Sequence, residues 1–154
     1  METYRLKHLR GVRLRVFLAA AEVVVPPDGD APGGNTMATA GVVDYALDRL
    51  DPKLRGLFLK FLVLVEILGL FFGGRLFSRN SAAARERQLA WMERSGVAKL
   101  RMGFFGLKSY VCMGHFTRED VWPHIGFDGP HVAGRPFPDS TIRALCQRVV
   151  EVTE

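Results

Sequence analysis

The residues that draw a catalytic or metal-binding reading are Cys112, His115, His124 and His131. In Cys112-Met113-Gly114-His115 the thiol and the imidazole stand three residues apart, on neighbouring positions of one helical face. Such a pair could give zinc or a haem iron two ligands, or give a nucleophile its base. Two ligands do not complete a coordination shell, and His124 and His131 would have to fold back from a loop to do so. A nucleophilic Cys112 would need a depressed thiol pKa and an orienting third group, which a sequence does not display. A free cysteine in a helical core is the simpler reading, so no catalytic and no metal-binding residue is assigned.

Phosphate and cation loops fare no better. Gly29 to Gly34 lacks the lysine and hydroxyl of a P-loop and follows no strand, and Gly126-Phe127-Asp128-Gly129-Pro130 has no βαβ context. Asp28-Gly29-Asp30 lacks the further oxygen ligands and the closing bidentate acid of a calcium loop. Arg79, Arg85, Arg87, Arg94, Lys99 and Arg101 cluster near Trp91, Phe104 and Tyr110, which raises nucleic acid. Glu86 and Glu93 alternate with them, as on a solvated helix face or a protein interface, and no nucleic-acid role is assigned.

The elements that would carry these side chains are helical. Apolar spacing predicts a first helix over about 10–24, with Leu14, Phe17, Leu18 and Ala21 inward and Pro26-Pro27 as its stop. Residues 26–36 hold three prolines, three glycines, two aspartates and an asparagine, which is a loop. A second helix over about 37–49 buries Val42, Val43, Ala46, Leu47 and Leu50. Asp51-Pro52 caps and opens a third that runs to Phe72 and stops at Gly73-Gly74. That helix is apolar on nearly every face, so it sits centrally, against a partner, or at a membrane; Lys60 and Glu66 argue against a lipid-spanning role.

Ser81 or Asn80 caps a fourth helix to about 95, and a fifth runs over about 97–115. Thr117-Arg118-Glu119-Asp120 reads as a capping sequence for a short helical turn through Val121 and Trp122. Residues 123–138 are irregular, a length of loop that usually serves a partner, and a last helix covers about 140–152. The expectation is an all-α, compact bundle of five or six helices with long Pro/Gly-rich loops, a single domain over residues 1–154.

Composition agrees. Apolar residues are 48% and charged residues 24% of the 154, which excludes a disordered chain, and two cysteines exclude a disulfide scaffold or a four-cysteine metal site. The net charge of +5 would favour an acidic partner surface or anionic lipid. Arg5, Lys7, Arg10, Arg13 and Arg15 before Val16–Ala21 mimic an export signal, but Glu22 interrupts the run and Val23–Pro27 is a poor cleavage site.

Eleven phenylalanines, two tryptophans and three tyrosines are ample for such a core, and several flank glycines and loops, where aromatic side chains anchor partners.

The segments Phe17–Glu22, Val25–Gly33, Ala40–Tyr45, the apolar helix with Glu66, Arg75–Ser78, Arg85-Glu86-Arg87 with Trp91, Phe105–Lys108 and Val121–Pro130 follow one another in a familiar order. Over about residues 14–130 the chain resembles the gluconate 2-dehydrogenase subunit 3 family, leaving 131–154 as a C-terminal loop and helix. These are small cofactor-free subunits, or fused N-terminal domains, of FAD-dependent dehydrogenases and oxidases of the glucose–methanol–choline type. The last segments look particularly like the N-terminal region of long-chain alcohol oxidases.

The resemblance implies a non-catalytic subunit that holds no cofactor and stabilises a larger FAD-dependent catalytic chain acting on an alcohol or sterol. Its interface candidates are Trp91, Phe104, Phe105, Lys108, Tyr110, Trp122 and Phe127. Many small subunits of that family carry a twin-arginine export signal. None is visible here, which implies a cytoplasmic pair, or a periplasmic one exported by a signal-bearing partner. Two other readings compete: a peripheral membrane or lipid-binding helical adaptor, from the apolar stretch Leu54–Phe72 and its basic flanks, and a metal or haem enzyme using Cys112 and His115.

Overall fold

A computed structural model describes residues 3–129 and 149–150 of the chain. The fold is all-α: helices α1 (Val12–Val24), α2 (Met37–Arg49), α3 (Pro52–Gly73), α4 (Ala82–Arg94) and α5 (Ala98–Phe116) share one hydrophobic core. Two 3-10 turns, Phe77–Arg79 and Trp122–Ile125, and a short parallel pair of strands complete the described residues. The strands are β1 (Tyr4–Arg5) and β2 (Val149–Val150), with Tyr4 opposite Val149 and Arg5 opposite Val150.

Local chemistry sets the helix ends. The Thr36 hydroxyl accepts from the Thr39 N–H at the start of α2, and the Asp51 carboxylate accepts from Lys53 and Leu54 ahead of Pro52. Ser81 caps α4 through the Ala84 N–H, and Gly74, at φ 69°, closes α3 in the left-handed conformation. Helix α1 is the hub: it buries Leu14, Val16, Phe17 and Ala19–Ala21 and packs against all four other helices.

Two segments depart from the spacing-based expectation. Thr117 does not cap a new helix: its hydroxyl donates backward to the Met113 carbonyl, and the turn that follows begins only at Trp122. Val149 and Val150 form β2 rather than the end of a helix; the rest of the helix expected over 140–152 lies outside the described residues.

Buried acids hold the bundle together. Asp44, fully buried on α2, accepts from His8 N (2.8 Å) and Leu9 N (2.7 Å) at Oδ1, and from Lys7 N (2.8 Å) and the Tyr4 hydroxyl (2.9 Å) at Oδ2. This clamp lays residues 4–9 across α2 and carries Leu6 and Leu9 into the core. Burial, and then the Asp44 charge, push the Tyr4 hydroxyl above its ordinary pKa, so it remains a donor. Nearby, Asp48 meets Lys7 Nζ at 2.6 Å and His8 Nε2 at 3.0 Å, which hold its carboxyl down to about 2.

Glu66 does for α3 what Asp44 does for α2. It is buried, and accepts from the Ser78 N–H (2.8 Å) and hydroxyl (2.6 Å), tying the Phe77–Arg79 turn to the helix. The turn presses so close that a β-carbon at Gly69 would collide with the Phe77 backbone, while Asn80 donates to the Gly69 and Arg75 carbonyls. Gln88 on α4 donates to the Val65 carbonyl at 2.8 Å.

Replacing Asp44 with Ala strands three backbone donors and a hydroxyl, at an expected cost of about 3 kcal/mol or more. Asp44→Asn should cost nearly as much, because its amide nitrogen would face donors on one side. Urea denaturation measures both; an Asn variant within ~0.5 kcal/mol of the parent would refute the clamp's importance.

Candidate functional site

Helix α3 turns one side to the core and the other to water, and the outward side is apolar. Phe58, Leu59, Leu62 and Val65 are buried, whereas Leu57 is 63% exposed and Phe71 82%, with Leu64, Ile67 and Leu70 also exposed. Beside it α5 exposes Met102 (73%) and Phe105 (71%). Large apolar side chains are thus exposed on two neighbouring helices rather than scattered singly over the surface.

Between the two helices lies a groove of about 840 Å³. Leu54, Leu57, Phe58, Phe61, Leu100 and Tyr110 supply its apolar walls, and among the described residues Lys60 and Lys99 are the charged ones lining it. Gly103 shapes it, since the Phe61 ring occupies the space a β-carbon there would need. Phe58 and Tyr110 pack at 4.9 Å between ring centroids, and burial raises the Tyr110 hydroxyl pKa. By length and composition α3, whose most apolar 18-residue stretch has a mean hydropathy of 2.1, could cross a membrane despite the two charges that argued against it. One of those charges, Glu66, is not on a lipid-facing side but buried against Ser78.

The interface candidates from the sequence scatter over this frame. Phe105 stands on the exposed face and Tyr110 lines the groove. Phe104, at 7% exposure, is a core residue and not an interface one, because it lies a helical step away from Phe105 and joins Leu107 and Val111 inside. Lys108 lies 3.5 Å from Glu93 and 5.9 Å from the Phe104 ring centre, an exposed pair joining α5 to α4. Trp91 is exposed and packs on Phe72. Trp122 and Phe127 form their own pair at 5.2 Å, with the indole N–H donating to the Phe116 carbonyl. The exposed row of α3 lies within the apolar stretch Leu54–Phe72 that the sequence offers to a partner or a membrane, but none of the interface candidates falls on it.

The Cys112–His115 pair takes a different character in the fold. His115 is buried, its ring edge-on to Phe116, and its Nδ1 has no hydrogen-bond partner among the described residues. Burial, and then the neighbouring Arg118 charge, hold its pKa below the ordinary 6.5. Arg118 is itself buried, donating to the Thr36 and Thr39 hydroxyls and paired with Asp120. Among the described residues no three His, Cys, Asp or Glu side chains gather as a metal group; His124 is exposed and His131 lies outside those residues. No family model, curated protein or solved structure matches the chain.

A neutral buried His115 has a definite pH consequence. Below about pH 6.5 the unfolded chain takes up a proton that the native imidazole resists, so native stability falls as pH drops from about 7. The slope from one such group is at most about 1.4 kcal/mol per pH unit. His115→Leu should flatten this dependence between pH 7 and 5 relative to the parent chain, read from denaturation midpoints; parallel curves would contradict it.

Proposed function

We propose that this chain is a non-catalytic accessory subunit that seats on a larger protein through the α3–α5 face. The observation that carries the reading is the apolar row Leu57, Leu64, Ile67 and Phe71, exposed on a helix whose other side is firmly held by Glu66–Ser78 and Gln88–Val65 contacts. The helix is anchored, so this face is not awaiting a place in its own core. A partner that covers it gains roughly 25 cal/mol per Å² of apolar surface removed from water. Lys60 and Lys99 beside it suit a partner with acidic groups at the rim.

The class of partner comes from the resemblance to the gluconate 2-dehydrogenase subunit 3 family. On that reading the partner is an FAD-dependent alcohol or sterol dehydrogenase or oxidase, and flavin and redox chemistry reside in it. This subunit supplies apolar cover and rigidity to the catalytic chain. Lys53 and Lys60 on the same side of α3 favour a second reading, in which the face lies on an anionic membrane surface.

Affinity purification of the chain from its native cell, with a flavin absorption spectrum of the eluate, tests the first reading. A much larger yellow chain should co-purify, and the double variant Leu57→Asp/Phe71→Asp should lose it while keeping its helical circular dichroism. Flotation of the chain alone with anionic vesicles, together with a colourless eluate, would sink the subunit reading and leave the membrane one.

A further inference from the structure

A second concavity, of about 540 Å³, lies on a different part of the surface, where α1, the Phe77–Arg79 turn and α4 meet. Arg15 of α1, Arg79 of the turn and Arg85 of α4 line it, together with Glu22, Asn35 and Ser78. We infer that this is a binding site for a small dianion, a phosphate monoester or a dicarboxylate. It is independent of the α3–α5 face and of the partner proposed there.

Charge is the first argument. Among the described residues three guanidinium groups line the concavity with one carboxylate, and that carboxylate is already engaged: Glu22 accepts from Arg85 at 2.8 Å. Arg15 and Arg79 are exposed and have no acceptor among the described residues. Two positive charges therefore remain uncompensated within one recess, and a ligand of charge near −2 relieves their mutual repulsion.

Pre-organisation is the second. Arg85 donates through Nε to the Phe77 carbonyl (3.2 Å), through Nη2 to the Ser78 carbonyl (2.9 Å) and through Nη1 to Glu22. Its plane is thereby fixed, and two of the five N–H groups of a guanidinium stay unspent. The turn bearing Arg79 is itself held by the buried Glu66 through Ser78, so that arginine rises from a rigid support rather than a loose loop. The Asn35 amide adds a neutral polar group at the edge. Guanidinium forks match the paired oxygens of phosphate and carboxylate, which is why the ligand class is an oxyanion.

Isothermal titration of the full chain with inorganic phosphate, and separately with succinate, tests this at constant ionic strength balanced with chloride. Arg15→Ala/Arg79→Ala should weaken binding about tenfold or more, whereas Arg13→Ala, on the same helix but outside the recess, should leave it unchanged. Glu22→Gln, which removes the one negative charge, should tighten it about threefold or more. Circular dichroism confirms that each variant folds. Phosphate binding alone assigns a phosphate ester and succinate binding alone a dicarboxylate. Heats no larger than those of chloride, binding untouched by the double variant, or an equal loss in Arg13→Ala would overturn the site.

Discussion

The Asp44 carboxylate is the constraint on which the arrangement rests. A buried charge is costly unless its lone pairs are filled, and Asp44 fills them with three backbone N–H groups and one hydroxyl from a single stretch of chain. The segment before α1 is consequently fixed in direction. Leu6 and Leu9 enter the core, and β1 is held where β2 can pair with it. Arg118 ties the opposite corner, reaching from beyond α5 to the hydroxyls of Thr36 and Thr39 at the start of α2.

Helix α3 inverts the usual amphipathic arrangement. Its acid points inward and is satisfied, while leucines, an isoleucine and a phenylalanine point outward. An unsatisfied inward Glu66 would forbid this packing, and a polar outward row would remove the reason to invoke a partner. The two facts together make a helix that is complete on one side and open on the other. The groove next to it follows from Gly103, whose missing side chain admits the Phe61 ring between α3 and α5.

Much of the fold was legible because its signals are local. Asp51-Pro52, Ser81 and Gly73-Gly74 act on their immediate neighbours, so the sequence alone locates those ends to within a residue or two. Thr117-Arg118-Glu119-Asp120 has the right letters for a cap, but Arg118 is drawn across to α2 by partners nearly eighty residues away, and no spacing rule reports that. The short β2 likewise exists only because β1 lies beside it.

For the site, the aromatic residues near glycines were a partial guide. Phe105 is outside and Phe104 inside because successive helical side chains diverge by about 100°. The periodicity through Leu107 and Val111 could have separated them. In an all-round apolar helix no such arithmetic works. Of its two mid-helix charges Lys60 is exposed and Glu66 lies in the interior, so charge does not report the faces of α3 either.

The pairing of Tyr4 with Val149 carries a consequence for the birth of the protein. Its two strands lie well over a hundred residues apart in sequence, so β1 leaves the ribosome long before its partner. At ~5–20 residues per second of synthesis, the N-terminal strand waits on the order of ten seconds for β2 to exist. Once α2 has been made, the Asp44 clamp, with Leu6 and Leu9 in the core, can keep the segment in place, which makes the carboxylate a placeholder during translation as well as a fastening in the finished fold.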